Sequence, residues 1–294
     1  MTEQAPFASA APESSPRPGG LRRALLYLLA FGVMTVAVTL FLAVLLTPQG
    51  SPLFSGAALY LAFEVPLAGA TLRLTQSFWR RLDRLPTSRL GYRAPSPHDL
   101  LLAGVVALAP TLGGLGIDLV TGHARIVGVA PGGTAAVHLA LYTALGLMVG
   151  LAEETPFRGY LLPNLTQSLG TPAAILITSV LFAAMHLTNP EHQKLMNMVE
   201  LTLAGVGFAL LRLGTGSLTV PILAHACYDF TLFVSGTNRE FQGVLRTEIG
   251  PNNLWLGGQE TSGLVGILLL IVWIAALWRW VYLPRQAEKA LPTR

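Results

Sequence analysis

A long apolar run in the middle of the chain contains three charged side chains, and this conflict constrains the fold more than any other feature. From about residue 136 to 165 the sequence has the composition of a membrane helix, yet Glu153, Glu154 and Arg158 lie within it. Near the bilayer centre, a charged side chain costs about 2.5 to 3.5 kcal/mol on insertion-based scales. Such residues are tolerated when they face a protein interior or a wet cavity. We therefore expect a membrane protein with a polar interior.

The spacing of these charges indicates which of them finds a partner within its own helix. Glu154 and Arg158 are four residues apart and share one helix face, so they can form an ion pair. Glu153 is rotated by about 100° from Glu154 and has no cation three or four residues away. The partner of Glu153 is therefore expected to come from another segment.

The composition of the whole chain supports a membrane protein. Of its 294 residues, 52% are hydrophobic and 12% are charged, whereas soluble proteins carry about 25% charged residues. The net charge of +4 arises mainly in tails and short loops beside apolar runs, which indicates membrane topology and no nucleic-acid partner. The single cysteine, Cys227, excludes an intrachain disulfide and a cysteine-rich metal site.

Apolar segments between turn signals predict an all-α, polytopic membrane bundle of about eight transmembrane helices around an intramembrane polar cavity. The first segment is long enough to span a bilayer, and no A-x-A cleavage site follows it, so we interpret it as a retained helix. Pro163 and Gly170 are expected to end the fourth helix. The predicted helices cover approximately residues 24–46, 55–74, 99–120, 136–165, 171–187, 195–213, 217–235 and 262–283.

The chain divides into four predicted regions. Residues 1–20, rich in Pro, Ala, Ser and Gly, are predicted to be a disordered cytoplasmic tail. Residues 21–130 hold helices one to three, and residues 131–235 hold a core of helices four to seven. Residues 236–294 supply an extracytoplasmic loop, the eighth helix and a second cytoplasmic tail. The arginine-rich loop around Pro86 is placed in the cytoplasm by the positive-inside rule, as are both termini.

Three further ionisable residues lie in the predicted core. Glu153 is 17 residues before the turn at Gly170 and His186 is 16 residues after it, so both lie about 25 Å from that turn at 1.5 Å per residue. His225 and Asp229 share one face of the seventh helix. His225 lies about 10 Å short of that level unless the helix tilts or its first turn lies higher, and Asp229 is one helical turn closer. A single membrane histidine usually serves helix packing, and we interpret Glu64 in the second helix as such a structural residue. So many costly groups on three helices favour a functional site.

Three motifs resemble those of the CPBP family, which contains the type II CAAX prenyl endopeptidases and their bacterial relatives. They are EETPFRG, FAAMH and LRLGTGSLTVPILAHACYD, and the resemblance covers about residues 134–235. The resemblance implies an intramembrane endopeptidase, a hydrolase in which Glu153 and His186 activate a water molecule. It also implies that Glu154 and Arg158 position the site.

By the same resemblance, His225 and the residue four positions later stabilise the oxyanion. The family usually has Asn at that position, where this chain has Asp229. An ionised carboxylate would repel an oxyanion, so Asp229 is either neutral or orients His225. We favour the orienting role.

Alternative functions remain open at this stage. A zinc-dependent version of the same hydrolysis would use Glu154, His186 and His225 as ligands, but the chain lacks HExxH, and we favour a reaction without a cofactor. A non-catalytic immunity or scaffold protein, or a transporter with a proton relay, would also contain buried polar residues. Rhomboid-type and aspartyl intramembrane proteases fit the motifs poorly, because the chain has no GxSG and Asp118 and Asp229 lie in the wrong order and spacing.

The predicted partners follow from this interpretation. The substrate is expected to be a membrane-associated protein or peptide, possibly lipidated, within the lipid bilayer. The expected location is a bacterial inner membrane.

Overall fold

The computed structural model describes residues 19–46, 56–188, 194–237, 241–258 and 262–290. Most of the tail predicted for residues 1–20 lies outside this part of the chain. The helices within it are α1 (Gly20–Leu46), α2 (Ala57–Arg81), α3 (Pro97–Val120), α4 (Gly132–Glu154), α5 (Leu162–Leu169), α6 (Thr171–Met185), α7 (Leu195–Thr215), α8 (Thr219–Ser235), α9 (Leu264–Leu277) and α10 (Leu283–Ala290).

The structure is a polytopic membrane bundle, as predicted. Six helical stretches in the described ranges are long and apolar enough to cross a membrane, and α6 and α8 are shorter apolar helices of 15 and 17 residues. The spanning stretches are Gly20–Leu45, Ala57–Arg81, Pro97–Val120, Gly132–Leu169, Leu195–Thr215 and Leu264–Ala287. Of the about eight transmembrane helices predicted, six therefore reach full membrane length among the described residues.

The helix that carries the charged motif is longer than predicted. It does not end at Pro163, because a π-helical segment, Thr155–Leu161, joins α4 to α5 without a break. In this wider turn the amide of Leu162 donates to the carbonyl of Phe157, five residues earlier. The helix ends at Gly170, which has φ 81° in the left-handed region where glycine is favoured.

A small sheet adds to the predicted all-α fold. Strand β1 (Ala124–Val129) pairs antiparallel with β2 (Leu245–Ile249), and Ala124 lies opposite Ile249. Both strands lie in segments that the sequence analysis interprets as loops. The pair joins the segment before α4 to the segment after α8.

The bundle has two distinct ends. At one end, here called the basic end, the loop between α2 and α3 meets the turn between α7 and α8, because the amide of Leu218 donates to the carbonyl of Gly91 at 2.8 Å. The first turn of α1 joins the end of α5 there, through a 2.8 Å bond from the Leu21 amide to Ser168 Oγ. The opposite end carries β1 and β2 and is called the sheet end.

A buried polar cluster fixes α1 at the basic end. Arg23, which the sequence suggests as a simple cytoplasmic flank, is buried and forms an ion pair with Asp83 at 3.0 Å. The hydroxyl of Tyr160 donates to the second oxygen of Asp83 at 2.7 Å, and Arg23 Nε donates to Asn164 Oδ1 at 2.7 Å. These contacts satisfy a buried charge and hold the α4–α5 helix against α1 and α2.

Helices α4 and α8 approach each other more closely than ordinary side chains allow. A Cβ atom at Gly146 would lie 2.8 Å from the carbonyl oxygen of Ala226, and one at Gly150 would lie 2.7 Å from that of Ile222. The two glycines form a G-x-x-x-G pattern, the small-residue spacing that permits close packing of membrane helices. This contact sets the distance between the residues that follow Gly150 and those around His225.

Candidate active site

Glu153 lies between two histidines that come from different helices. Its Oε1 is 3.8 Å from Nε2 of His186, and its Oε2 is 3.9 Å from Nε2 of His225. Glu153 stands near the end of α4, His186 directly follows α6, and His225 is in the middle of α8. Measured from the turn at Thr215, the sequence places His225 short of the level of Glu153 and His186. The three side chains nevertheless meet in the structure.

The ring of His186 is oriented by the backbone of its own helix. Its Nδ1 lies 3.0 Å from the carbonyl oxygen of Phe182. A carbonyl oxygen only accepts hydrogen bonds, so Nδ1 carries a proton in this contact. In the neutral ring Nε2 is then an acceptor, and it faces the carboxylate of Glu153. Two acceptors facing each other across a cavity can share the two hydrogens of one water molecule.

His225 is held from the opposite side by Glu154. Its Nδ1 lies 3.0 Å from Glu154 Oε1, and the same oxygen accepts a hydrogen bond from Arg158 at 3.0 Å. Glu154 and Arg158 are both fully buried, so this is a desolvated ion pair with the predicted i,i+4 spacing. Because Nδ1 donates to Glu154, Nε2 of His225 is directed toward Glu153.

Asp229 lies beside the same imidazole. One of its oxygens is 3.6 Å from Nε2 of His225, beyond the length of a normal hydrogen bond. The side chains of Asp229 and Glu153 keep 16% and 18% exposure, whereas Glu154 has none. Of the three carboxylates around His225, two therefore face the cavity and one is sealed in the core.

Aromatic rings and backbone carbonyls hold the residues behind the Glu153, His186 and His225 side chains in place. Phe208 stacks on His225 with ring centroids 4.8 Å apart, and the Arg158 guanidinium lies 4.6 Å from the centre of the Phe182 ring. Arg158 also donates to the carbonyl of Gly205 on α7 at 2.8 Å. Cation–π and charge-assisted contacts are strong where water is excluded, so they keep Glu154 in one position.

Arg212 connects the loops at the basic end to the residues around Arg158. It is buried and donates to the carbonyls of Gly216 and Leu90, the latter at 3.1 Å. The nearby Tyr92 hydroxyl bonds Thr155 at 2.6 Å, at the start of the π-helical segment. Burial raises the pKa of Tyr92 to about 12, so its hydroxyl keeps its proton at neutral pH.

The histidines and acids open onto one cavity of about 1030 Å³. Glu153, His186, His225 and Asp229 line it, together with Glu64 of α2. Glu64, which the sequence indicated as a packing residue, lies on the cavity wall. A peptide segment has room beside the carboxylate–imidazole cluster.

A second polar group on the cavity wall joins α7, α8 and the segment before α9. Glu200 accepts hydrogen bonds from the hydroxyls of Tyr228, at 3.1 Å, and of Ser262. Asn197 Oδ1 accepts from the amide of Ser262 at 2.7 Å. These bonds stabilise the wall of the cavity opposite α2.

One oxygen of Glu153 has no hydrogen-bond partner among the residues that the structure describes. Oε2 is buried from solvent yet forms no hydrogen bond there. A buried carboxylate oxygen without a partner is costly unless water or substrate satisfies it. This oxygen lies 3.9 Å from Nε2 of His225, on the side of Glu153 that faces α8.

The alternative zinc ligands do not converge on one point. Glu154 meets His225 Nδ1 at hydrogen-bond distance and is also bound to Arg158, so its oxygen is engaged in the protein interior. Across the described ranges, no group of three His, Cys, Asp or Glu side chains is placed to hold a metal ion. The set Glu154, His186 and His225 does not fit zinc coordination.

Several residues that build the site are absent from the sequence predictions. Gly146 and Gly150 were recognisable by their G-x-x-x-G spacing, although not by their partner helix. Arg212 stands near the end of a predicted helix, and neither it nor Phe208 has a sequence pattern that marks it as part of the site. Their roles depend on contacts between distant segments.

The fold and the site define an integral membrane protein with a carboxylate–imidazole cluster on an internal cavity. Residues 135–231 match the family model described as type II CAAX prenyl endopeptidase Rce1-like, which confirms the resemblance over that segment. An uncharacterized 24.3 kDa protein of Escherichia coli is 37% identical over 86 residues, covering 27% of this chain. The alignment spans 36% of that relative's length. The family match includes Glu153, Glu154, Arg158, His186, His225 and Asp229.

Proposed function

We propose that this protein is an intramembrane endopeptidase that hydrolyses a peptide bond of a membrane-associated protein. The observation that carries the proposal is the position of Glu153 between two imidazoles from separate helices, with an oxygen that lacks a described partner. Catalytic acids and bases in a cleft, held by other buried groups, are the arrangement expected of a hydrolytic site. The match to an endopeptidase family over residues 135–231 supports the same reaction class.

In the proposed first step, Glu153 and His186 accept the two hydrogens of one water molecule. As the water oxygen forms a bond to the scissile carbonyl carbon, one proton passes to this pair and the carbonyl electrons move to its oxygen. A positioned general base of this kind contributes about 10²- to 10⁴-fold to the rate.

In the second step, the tetrahedral intermediate collapses. The carbon–nitrogen bond breaks, the carbonyl reforms, and the proton is returned to the leaving amine. His225, protonated on both nitrogens, donates from Nε2 to the oxyanion in both steps. Glu154 and Arg158 position His225, and Asp229 orients the ring without contacting substrate.

The remaining assignments belong to the same proposal. Residues 131–235 supply the catalytic core, and the reaction uses no metal or organic cofactor. The substrate is a protein or peptide within the bilayer, with or without a lipid anchor. The protein lies in a bacterial inner membrane with both termini in the cytoplasm, as the arginine-rich basic end favours.

Replacement of Glu153 by glutamine tests the proposal. Glu153→Gln keeps the size of the side chain and removes the base, so we expect proteolysis to fall by about 10²- to 10⁴-fold with folding unchanged. The measurement counts new C-termini of other proteins, both in membrane proteomes and in reactions of the purified protein in detergent, for each variant. Glu248→Gln on the exposed strand β2 is the matched control. Equal turnover of Glu153→Gln and the control would refute the assignment.

The same variant separates catalysis from a scaffold or immunity role. A scaffold needs the fold and not the base, so its biological phenotype would survive Glu153→Gln. We expect instead that Glu153→Gln fails to complement a deletion strain.

A further inference from the structure

The cavity lies in one half of the bundle. On four of the helices, the lining residues all come from the portions nearest the sheet end: within residues 38–42 of α1, 59–67 of α2, 110–118 of α3 and 265–270 of α9. The opposite halves of these four helices do not contribute to the lining. The cavity is therefore asymmetric across the membrane.

The catalytic cluster forms the inner boundary of this space. Glu153 and His225 lie near the middle of the bundle, and Phe208 closes the cavity beside them. Beyond the helix ends, the lining continues into the sheet-end segments with Ile249 and Leu256. Among the described residues, none from the basic-end loops, 82–96 and 216–218, lines the cavity. The route from the cluster to the aqueous phase thus leads to the sheet end.

The charge distribution indicates which side of the membrane each end faces. Besides the buried Arg212, nine arginines lie at the basic end within the described ranges: Arg22, Arg23, Arg80, Arg81, Arg84, Arg89, Arg93, Arg279 and Arg285. The described part of the sheet end has Arg125, Lys194 and Arg246, and Arg125 lies 3.6 Å from Glu248. Short segments rich in Lys and Arg remain on the cytoplasmic side. The sheet end accordingly faces the extracytoplasmic side.

We infer that the protease takes its substrate from the extracytoplasmic side of the membrane. This inference rests on the proposed function and adds a substrate class to it: a peptide segment at the extracytoplasmic surface, or the extracytoplasmic flank of a membrane helix. A segment that enters from the sheet end meets Glu153 and His225 at the inner limit of the cavity. A packed layer that contains the buried side chains of Arg158, Arg212 and Tyr160 separates the same cluster from the cytoplasm.

Site-directed cysteine labelling tests the direction of access without requiring any substrate. In a Cys227→Ala background, Leu256→Cys reports on the cavity wall at the sheet end and Ser88→Cys reports on the exposed loop at the basic end. Sealed right-side-out and inside-out vesicles are treated with a membrane-impermeant maleimide. We expect Leu256→Cys to be modified only in right-side-out vesicles and Ser88→Cys only in inside-out vesicles. The reverse pattern would overturn the inference.

A second measurement connects access with cleavage. A water-soluble peptide library is added to both kinds of sealed vesicle, and Glu153→Gln vesicles serve as the blank. New peptide termini are expected only with right-side-out vesicles, and maleimide modification of Leu256→Cys should abolish them. Cleavage confined to inside-out vesicles would overturn the inference even with the protease active.

Failure of the proposed function gives a different result. In detergent, both sides of the protein are accessible. If the wild-type protein and Glu153→Gln then produced equal numbers of new peptide termini, the proposed proteolysis would be contradicted. The maleimide pattern would then still decide which side the cavity faces.

Discussion

Gly150 lies so close to Ile222 that a Cβ atom added to the glycine would be 2.7 Å from the carbonyl oxygen of Ile222. The same Cβ would be 3.5 Å from Cβ of His225. Since Glu153 follows Gly150 by less than one helical turn, the packing of α4 on α8 sets the separation of the carboxylate from the His225 imidazole.

Enlarging Gly150 is therefore expected to impair catalysis more than folding. In Gly150→Ala, α8 must move away, and a misplacement of about 1 Å can lower a rate by about 10²-fold. We expect kcat to fall by about ten- to a hundredfold while the protein remains folded in detergent. Gly104→Ala on α3 is the control, because its Cβ would have no neighbour within 4 Å. Equal kcat in both variants would mean that the α4–α8 distance does not govern the reaction.

The Glu154–Arg158 pair is expected to contribute to stability as a unit. Arg158→Met leaves a fully buried carboxylate that, among the described residues, keeps His225 as its one hydrogen-bond partner. Breaking a buried pair in this way costs about 3 to 5 kcal/mol. The free energy of unfolding, measured by denaturant titration in mixed micelles, is expected to decrease by that amount.

An exposed pair in the same chain provides the comparison. Arg125 and Glu248 are 3.6 Å apart on the two strands, with 76% and 63% of their side chains exposed. Exposed pairs are worth about 1 kcal/mol or less, so Arg125→Met should change stability little. The double variant Glu154→Leu/Arg158→Met should lose less than the sum of its single variants. Additive losses would show that the two buried charges do not stabilise each other.

Chelation distinguishes the metal-free reaction from zinc hydrolysis. Glu153 and His186 activate water in our proposal without an ion, so 1,10-phenanthroline and EDTA should leave the turnover of the purified protease unchanged. Elemental analysis of the same active sample should find no stoichiometric zinc. Loss of activity on chelation, restored by added zinc, would contradict this mechanism and require a different set of ligands.

The parts of the site that follow from helical geometry were predictable from the sequence. The i,i+4 spacing of Glu154 and Arg158 leaves their side chains on one face, and the structure has the ion pair. The equal distances of Glu153 and His186 from Gly170 place them at one level, and they lie 3.8 Å apart. Both inferences need only the rise and rotation per residue. Their catalytic roles remain predictions.

The parts that depend on distant segments were not predictable in this way. The pairing of Ala124 with Ile249 joins segments more than a hundred residues apart. The local sequence of neither strand indicates which segment it pairs with. The π-helical segment Thr155–Leu161 changes the helix geometry after Glu154, and the helix continues past Pro163, where the sequence suggested an end. Arg212 lies near the end of a predicted helix, and only tertiary packing shows that its guanidinium donates to backbone carbonyls.

The loop held by Arg212 supports a final prediction, on stability. Gly91 has φ 88°, and a Cβ atom there would be 2.4 Å from Nη1 of Arg212. Gly91→Ala therefore combines backbone strain of about 1 to 3 kcal/mol with displacement of a buried guanidinium from its carbonyl partners. Gly122 has φ 73° with nothing within 4 Å of its Cβ position, so Gly122→Ala introduces strain alone. In denaturant titrations of the two variants, Gly91→Ala should lose clearly more stability. Equal losses would show that Arg212 can leave its site without cost, which its hydrogen bonds to Gly216 and Leu90 argue against.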